Sequence, residues 1–172
     1  MSKPWLAFVV VVLTMGVARA APFEPTDWLD RMLRAGQEMH YTGVYVYSRG
    51  NVASAMRLVH VGLPAGPLDR VQALDGMYWE LRRNPVGANL LVPEQAPAGE
   101  VMCPLGGNFS TEIPRRLQAA RGLYRLVESG KGRVAGRVVQ QLDATPGDPY
   151  RYGLRLAVDE DSGLLLKVSA SL

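Results

Sequence analysis

The chain has 172 residues, 19 Lys plus Arg against 16 Asp plus Glu, and a single cysteine, Cys103. One thiol excludes an intramolecular disulfide framework, and arginines scattered without a lysine-rich block exclude the electrostatic footprint of a nucleic-acid binder. At this length one domain can bury roughly 68–70% of its unfolded surface without help from a metal or a disulfide.

Lys3 precedes a wholly apolar run from Trp5 to Leu13, and Ala18-Arg19-Ala20 supplies an A-x-A cleavage pattern. The run is shorter than the about 20 residues of a membrane span and fits a secretory signal peptide. Residues 1–20 are therefore expected to be removed on export, leaving one domain over 21–172. Lys3 and Arg19 leave with them, so the basic count falls from 19 to 17 against 16 acids, a net charge of +1.

Thr26 can cap a helix from Asp27 to about Met39, with Asp27 and Asp30 in its first turn. Trp28, Leu29, Met32, Leu33 and Met39 recur near a 3.6-residue period and give that helix one apolar face. At Tyr41 the period changes to two. Tyr41, Gly43, Tyr45 and Tyr47 share one face of a strand, and Thr42, Val44 and Val46 share the other. Arg49-Gly50-Asn51 is a turn, Val52 to Val61 a second strand, and the Gly/Pro-rich stretch 62–67 a break.

Leu68–Leu74 and Met77–Arg83 flank Asp75-Gly76, the dipeptide favoured by two-residue type I′ hairpins. A short strand over Asn89–Val92 follows Asn84-Pro85, and two prolines make residues 93–99 a loop. Glu100–Cys103 reads as a further short strand. Ser110 or Thr111 can cap a second helix from about Pro114 to Arg121. Strands are then expected at Leu123–Glu128, Arg133–Asp143, Tyr150–Asp159 and Gly163–Ser171, separated by turns at 129–132, 145–149 and 160–163.

Eight or nine strands joined by short turns require an antiparallel sheet, because parallel neighbours need crossovers of about a dozen residues or more. Two helices cannot cover both faces of so many strands. An α+β fold follows, with a curved antiparallel sheet, or half-barrel, wrapped around two helices.

The last two strands narrow the reading. Arg151-Tyr152-Gly153-Leu154-Arg155-Leu156-Ala157-Val158-Asp159, followed by Asp161-Ser162-Gly163-Leu164-Leu165-Leu166-Lys167, resembles the terminal hairpin of the RseB/MucB family. Trp28-Leu29, Tyr41-Thr42-Gly43-Val44-Tyr45-Val46-Tyr47, Leu74-Asp75-Gly76 and Gly132-Arg133-Val134-Ala135-Gly136-Arg137 agree in order and spacing. The resemblance implies a domain similar to the LolA/LolB lipoprotein carriers. It also implies a periplasmic negative regulator of the sigma-E envelope stress response, whose partner is the periplasmic segment of an anti-sigma factor and which senses lipid or lipopolysaccharide. Family members carry a smaller C-terminal domain that is not found within these 172 residues. A periplasmic lipid or lipoprotein carrier of LolA type stays open as the alternative, and the oligomeric state is undetermined.

The inventory for catalysis is thin. His40 and His60 are the only histidines; a dyad of either with Cys103 lacks a recognisable motif, and the three do not match a closed zinc site. Asp159, Glu160 and Asp161 fit a solvated hairpin turn better than a calcium loop. The chain is therefore read as a non-enzyme without metal or cofactor. Candidate contacts for an acyl chain or a peptide are Met32, Met39, Tyr41, Tyr45, Tyr47 and Trp79. Arg82 and Arg83, with Arg115 and Arg116, are candidates for phosphate head groups or an acidic peptide.

Overall fold

The computed structural model describes residues 25–94 and 108–171. Cys103 and the strand expected at Glu100–Cys103 lie outside the described residues. Within them, helix α1 (Pro25–Glu38) leads into a meander of β1 (His40–Arg49), β2 (Val52–Val61), β3 (Leu68–Ala73), β4 (Glu80–Asn84) and β5 (Gly87–Leu91). Helix α2 (Phe109–Ala119) precedes a second meander of β6 (Tyr124–Val134), β7 (Arg137–Pro146), β8 (Gly153–Asp159) and β9 (Leu165–Ser171). Every strand pair is antiparallel. The hydrogen bonding is divided between a five-stranded sheet, β1 to β5, and a four-stranded one, β6 to β9.

Each sheet has its own core. Trp28, Leu29 and Met32 of α1 and Ile113 and Leu117 of α2 pack on Leu142, Leu156 and Leu165 of the second sheet. Met56, Leu58, Val71, Trp79 and Leu81 form the core of the first, with Tyr41, Tyr45 and Tyr47 laid partly over them. The amphipathic stripe of α1 thus meets the second sheet, not the strand that follows it in the chain. Trp28 is fixed there by its indole N–H, which donates to Glu128 Oε1 at 2.8 Å, and by Arg31 standing 4.5 Å over its ring. Arg31 in turn donates to the Glu160 carbonyl at 2.5 Å, tying α1 to the β8–β9 turn.

Three turns differ from expectation, each for a local reason. Asp75-Gly76 does not close a two-residue hairpin; residues 74–79 form a longer loop. The Asp75 carboxylate accepts the Ala55 N–H at 2.8 Å, and Leu74 N–H reaches the Ala55 carbonyl at 2.9 Å, so the loop folds back over β2. Residues 129–132 are not a turn but the middle of β6, where a bulge between Glu128 and Gly130 absorbs one residue. The type I′ geometry occurs instead at Ala135-Gly136, with φ of 49° and 80°, joining β6 to β7. The second helix begins earlier than expected because Asn108 caps it, its side chain accepting Ser110 N–H at 3.1 Å. Pro114 falls inside that helix.

The backbone at Gly62 lies so close to the end of α1 that a Cβ there would stand 2.3 Å from the Gln37 carbonyl oxygen. Gly62 N–H also donates to the Met39 carbonyl at 2.9 Å, which fixes where the helix meets the β2–β3 connection. Gly62→Ala should therefore cost about 1–3 kcal/mol, as overpacking does. Ala135, by contrast, holds a left-handed conformation that an L-alanine resists by roughly 1–2 kcal/mol and asparagine tolerates better. Ala135→Asn should raise the urea midpoint by the equivalent of about 0.5–1 kcal/mol with an unchanged denaturant slope; a midpoint at or below the parent's would refute this account of the turn.

Candidate functional site

Strand alternation in the first sheet turns Tyr41, Gly43, Tyr45 and Tyr47 to the same side as Met56, Leu58 and His60, their partners in register. The same side carries Asp69, Val71 and Ala73 from β3 and Leu81 and Arg83 from β4. One cross-strand row of this inner face reads Tyr41, His60, Asp69, Arg83, Ala88. The next reads Gly43, Leu58, Val71, Leu81, Leu90. A polar row therefore lies beside an apolar one.

The polar row is sealed by the start of α2. His60 and Asp69 are 1% and 5% exposed and Asn108 is 0% exposed, a degree of burial polar groups tolerate only when hydrogen-bonded. His60 Nδ1 stands 2.7 Å from Asp69 Oδ1, and the Asn108 amide donates both to Asp69 Oδ1 and to Tyr41 Oη, each at 2.8 Å. His60 Nε2 is buried with no hydrogen-bond partner among the described residues. Tyr41 stacks on the His60 ring at 4.5 Å, and burial, aided by the negative Asp69, pushes its phenol up to about 12. Neighbouring hydroxyls extend the seal across the molecule: Ser110 Oγ donates to the Leu165 carbonyl of β9 at 2.7 Å.

Among the described residues the inner face beyond the seal is open. Tyr45 meets Phe109 edge-on at 5.4 Å, while a Cβ at Gly43 would touch none of the described residues within 4 Å. Leu90 is 47% exposed in the same row as Gly43. Arg83 Nη1 lies 3.8 Å from Glu112 Oε2 on α2, and Arg116 Nε donates to Glu112 Oε1 at 3.0 Å. The result is an aromatic shelf with a glycine gap, bordered by two arginines that converge on one carboxylate.

The ten residues named as candidates from sequence separate accordingly. Tyr41, Tyr45, Tyr47, Arg83 and Arg116 are brought to this face. Met32 is fully buried under α1 and Trp79 is 7% exposed, so both are core. Met39 lies elsewhere, lining a shallow hollow of about 230 Å³ with Arg34, Glu38 and Asp161. Arg115 is exposed on α2. Arg82 and Arg83 do not act as a pair, because consecutive residues of a strand point to opposite faces. Arg82 is on the outer face, where its Nε donates to Glu80 Oε1 at 2.5 Å beside Arg70 Nη2 at 2.7 Å and Tyr78 Oη at 3.0 Å from the other oxygen.

His60, Asp69, Asn108, Phe109 and Glu112 were not singled out as a cluster from sequence. The signal existed for two of them: His60 and Asp69 interrupt the apolar positions of β2 and β3, and two polar residues on the buried face of adjacent strands must find each other or water. Asn108 gave no such signal, since its partners are distant in the chain.

Comparison with known proteins agrees with this architecture. The family model of the MucB/RseB N-terminal domain matches residues 24–171. The sigma factor AlgU regulatory protein MucB of Pseudomonas aeruginosa is 29% identical over 170 residues, covering 91% of this chain and 50% of that protein. The sigma-E factor regulatory protein RseB of Haemophilus influenzae is 26% identical over 174 residues, covering 97% and 54% respectively. The chain thus spans about half the length of the curated relatives it matches. Among solved structures, MucB in complex with MucA(peri) is similar at a TM-score of 0.67 and 27% identity, over 86% of this chain and 49% of that one. MucB from the Pseudomonas aeruginosa MucA/MucB complex gives 0.65 and 28%, over 85% and 50%.

Asn108→Ala would remove the α2 cap and both donors that the amide supplies. The loss should be about 2–4 kcal/mol, summing a cap of about 1 with buried bonds to a charged acceptor, read from urea denaturation. Two further carboxylates govern a response to acid. The Arg70 hydrogen bond, with those of Arg82 and Tyr78, holds the Glu80 carboxyl down to about 2, and Arg137 with Ser162 does the same for Asp159. Both carboxyls are more acidic folded than unfolded, so their stabilisation is complete above the ordinary carboxylate range and is lost as pH falls through it. The urea midpoint should drop between about pH 5 and pH 2, and Glu80→Gln or Asp159→Asn should each flatten that dependence.

Proposed function

The chain belongs to the MucB/RseB family, and from that premise we propose that it is a periplasmic negative regulator of the sigma-E envelope stress response. In this reading it is exported with cleavage near Ala20/Ala21 and holds the periplasmic segment of an anti-sigma factor by reversible contact, without turnover. Lipid or lipopolysaccharide competes for the domain and releases the partner. Such a switch works only if the competing ligand has unequal affinity for the free and partner-bound states. The regulatory roles of the relatives, and the solved complexes of MucB with MucA, support it.

The observation that carries the assignment to a surface is the inner face of the first sheet. Tyr45, Tyr47 and Phe109 are large amphipathic or apolar contact groups of the kind enriched in interface centres. Gly43 leaves room between Tyr41 and Tyr45 for an incoming side chain, and Arg83 and Arg116 can exchange Glu112 for a carboxylate of a partner. A carrier of LolA type would require a wholly apolar concave face. Here the open part of the face is bordered by Arg83 and Arg116 around the Glu112 carboxylate, and this favours peptide recognition over acyl-chain transport.

Titration of the exported chain with the periplasmic segment of its host's anti-sigma factor should give micromolar or tighter binding, about −8 kcal/mol, that lipopolysaccharide weakens. Gly43→Leu supplies the local test. It should leave folding intact or improve it, within the ~1 kcal/mol span of strand preferences, while weakening the partner at least about tenfold, or about 1.4 kcal/mol. Absence of binding with or without lipopolysaccharide would sink the regulatory reading; undiminished binding by the Gly43 variant would move the contact to another face.

A further inference from the structure

At the end of the second sheet opposite the β6–β7 turn, two connections meet. Residues 120–123 link α2 to β6, and residues 147–152 link β7 to β8. They are fastened together: Gly147 N–H donates to the Leu123 carbonyl at 2.9 Å, and Tyr124 Oη donates to the Tyr152 carbonyl at 3.1 Å. The second loop is also held internally, since Asp148 accepts Tyr150 N–H at 3.0 Å and pairs with Arg151. Yet this braced tip displays apolar and aromatic side chains outward, with Tyr150 92%, Tyr152 57% and Leu123 45% exposed.

Arginines surround them. Arg121 precedes Leu123 in the first connection, Arg125 follows Tyr124 at the start of β6, and Arg151 sits between the two tyrosines. Asp148 neutralises Arg151, whereas Arg121 and Arg125 are exposed and take part in no ion pair among the described residues. With Tyr150 92% and Tyr152 57% exposed, these rings stand out from the loop, as contact with a lipid surface requires. Tyrosines have an apolar ring and a polar end, the composition favoured at the boundary between head groups and acyl chains. Unpaired arginines beside them complement an anionic lipid surface.

We propose that this tip, centred on Tyr150 and Tyr152 and flanked by Arg121 and Arg125, docks the domain on an anionic bilayer surface. Tyr150 enters the head-group layer, Tyr152 and Leu123 lie at its boundary, and the two arginines contact lipid phosphates. The site is separate from the inner face of the first sheet, so bilayer contact leaves that face accessible.

The test is co-sedimentation of the chain, recovered after export with its N-terminus verified by intact mass, with phosphatidylcholine vesicles that contain or lack phosphatidylglycerol. Binding should require the anionic lipid. At roughly a factor of five per arginine near the surface, Arg121→Gln/Arg125→Gln should weaken it about thirtyfold, and Tyr150→Ser/Tyr152→Ser should weaken it comparably. All of these positions are exposed, so the variants should keep the parent's unfolding curve and its affinity for the anti-sigma segment. Tyr150→Trp adds a direct reading: brominated lipid should quench the new indole, while Trp28 and Trp79, 6% and 7% exposed, stay unquenched. No sedimentation with anionic vesicles, equal binding by the tip variants, or no quenching at position 150 would each overturn the proposal. Loss of anti-sigma binding in the tip variants would also overturn it, by making the tip a protein contact.

Discussion

The contact on which the molecule depends is the buried carboxylate of Asp69. Placed on the inner face of the first sheet with little water, it requires hydrogen-bond partners, and His60 from the neighbouring strand supplies only one. The second comes from Asn108, at the start of a helix whose apolar side belongs to the other sheet. Satisfying that side chain therefore joins the two cores, alongside the contacts of Tyr45 with Phe109 and Arg83 with Glu112. The same asparagine caps α2, so the direction of the helix and the closure of the polar row are set by one side chain. Buried polar groups of this kind add less to stability than to uniqueness, since an alternative docking of α2 would strand the carboxylate.

That arrangement also explains what the inner face can do. With the polar row sealed beneath Asn108, the exposed part of the face is left to tyrosines, Phe109 and arginines held by Glu112. Aromatic groups with two side-chain torsions give contact area at small entropic cost, and an arginine already engaged with a carboxylate is pre-positioned for another. The outer face is different in kind. There Glu80 is enclosed by Arg70, Arg82 and Tyr78, a self-satisfied cluster whose chemistry is complete without a partner.

Much of this was legible in the sequence where the signal is local. The 3.6-residue period around Trp28 and Met32 located α1, and the alternation from Tyr41 to Tyr47 sorted aromatic from β-branched residues onto opposite faces. Turn chemistry was less secure. Asp75-Gly76 had the favoured dipeptide, but the Asp75 side chain found the free Ala55 N–H of β2; Ala135-Gly136, with a residue that resists positive φ, made the tight turn because strand register demanded it there. The site was legible in part. Alternation placed Tyr41, Tyr45 and Tyr47 on one face, but Met32 and Trp79 could not be told from core, because an apolar side chain looks the same in sequence whether it faces a ligand or a neighbouring helix. Asn108 was hidden because its partners Tyr41 and Asp69 lie 67 and 39 positions away.

Those separations bear on how the chain reaches its native state. Within each sheet every strand pairs with the one before it, so each meander assembles from neighbours and closes only short loops. Asn108 to Tyr41, Ser110 to Leu165 and Trp28 to Glu128, the last spanning 100 positions, are bridges of another order. Their loop-closure entropy is met only after both meanders exist to offer acceptors. Two meanders built from neighbouring strands are thus held together by side chains distant in the chain, and Asn108 is the one that fastens the first sheet to the helix packed on the second.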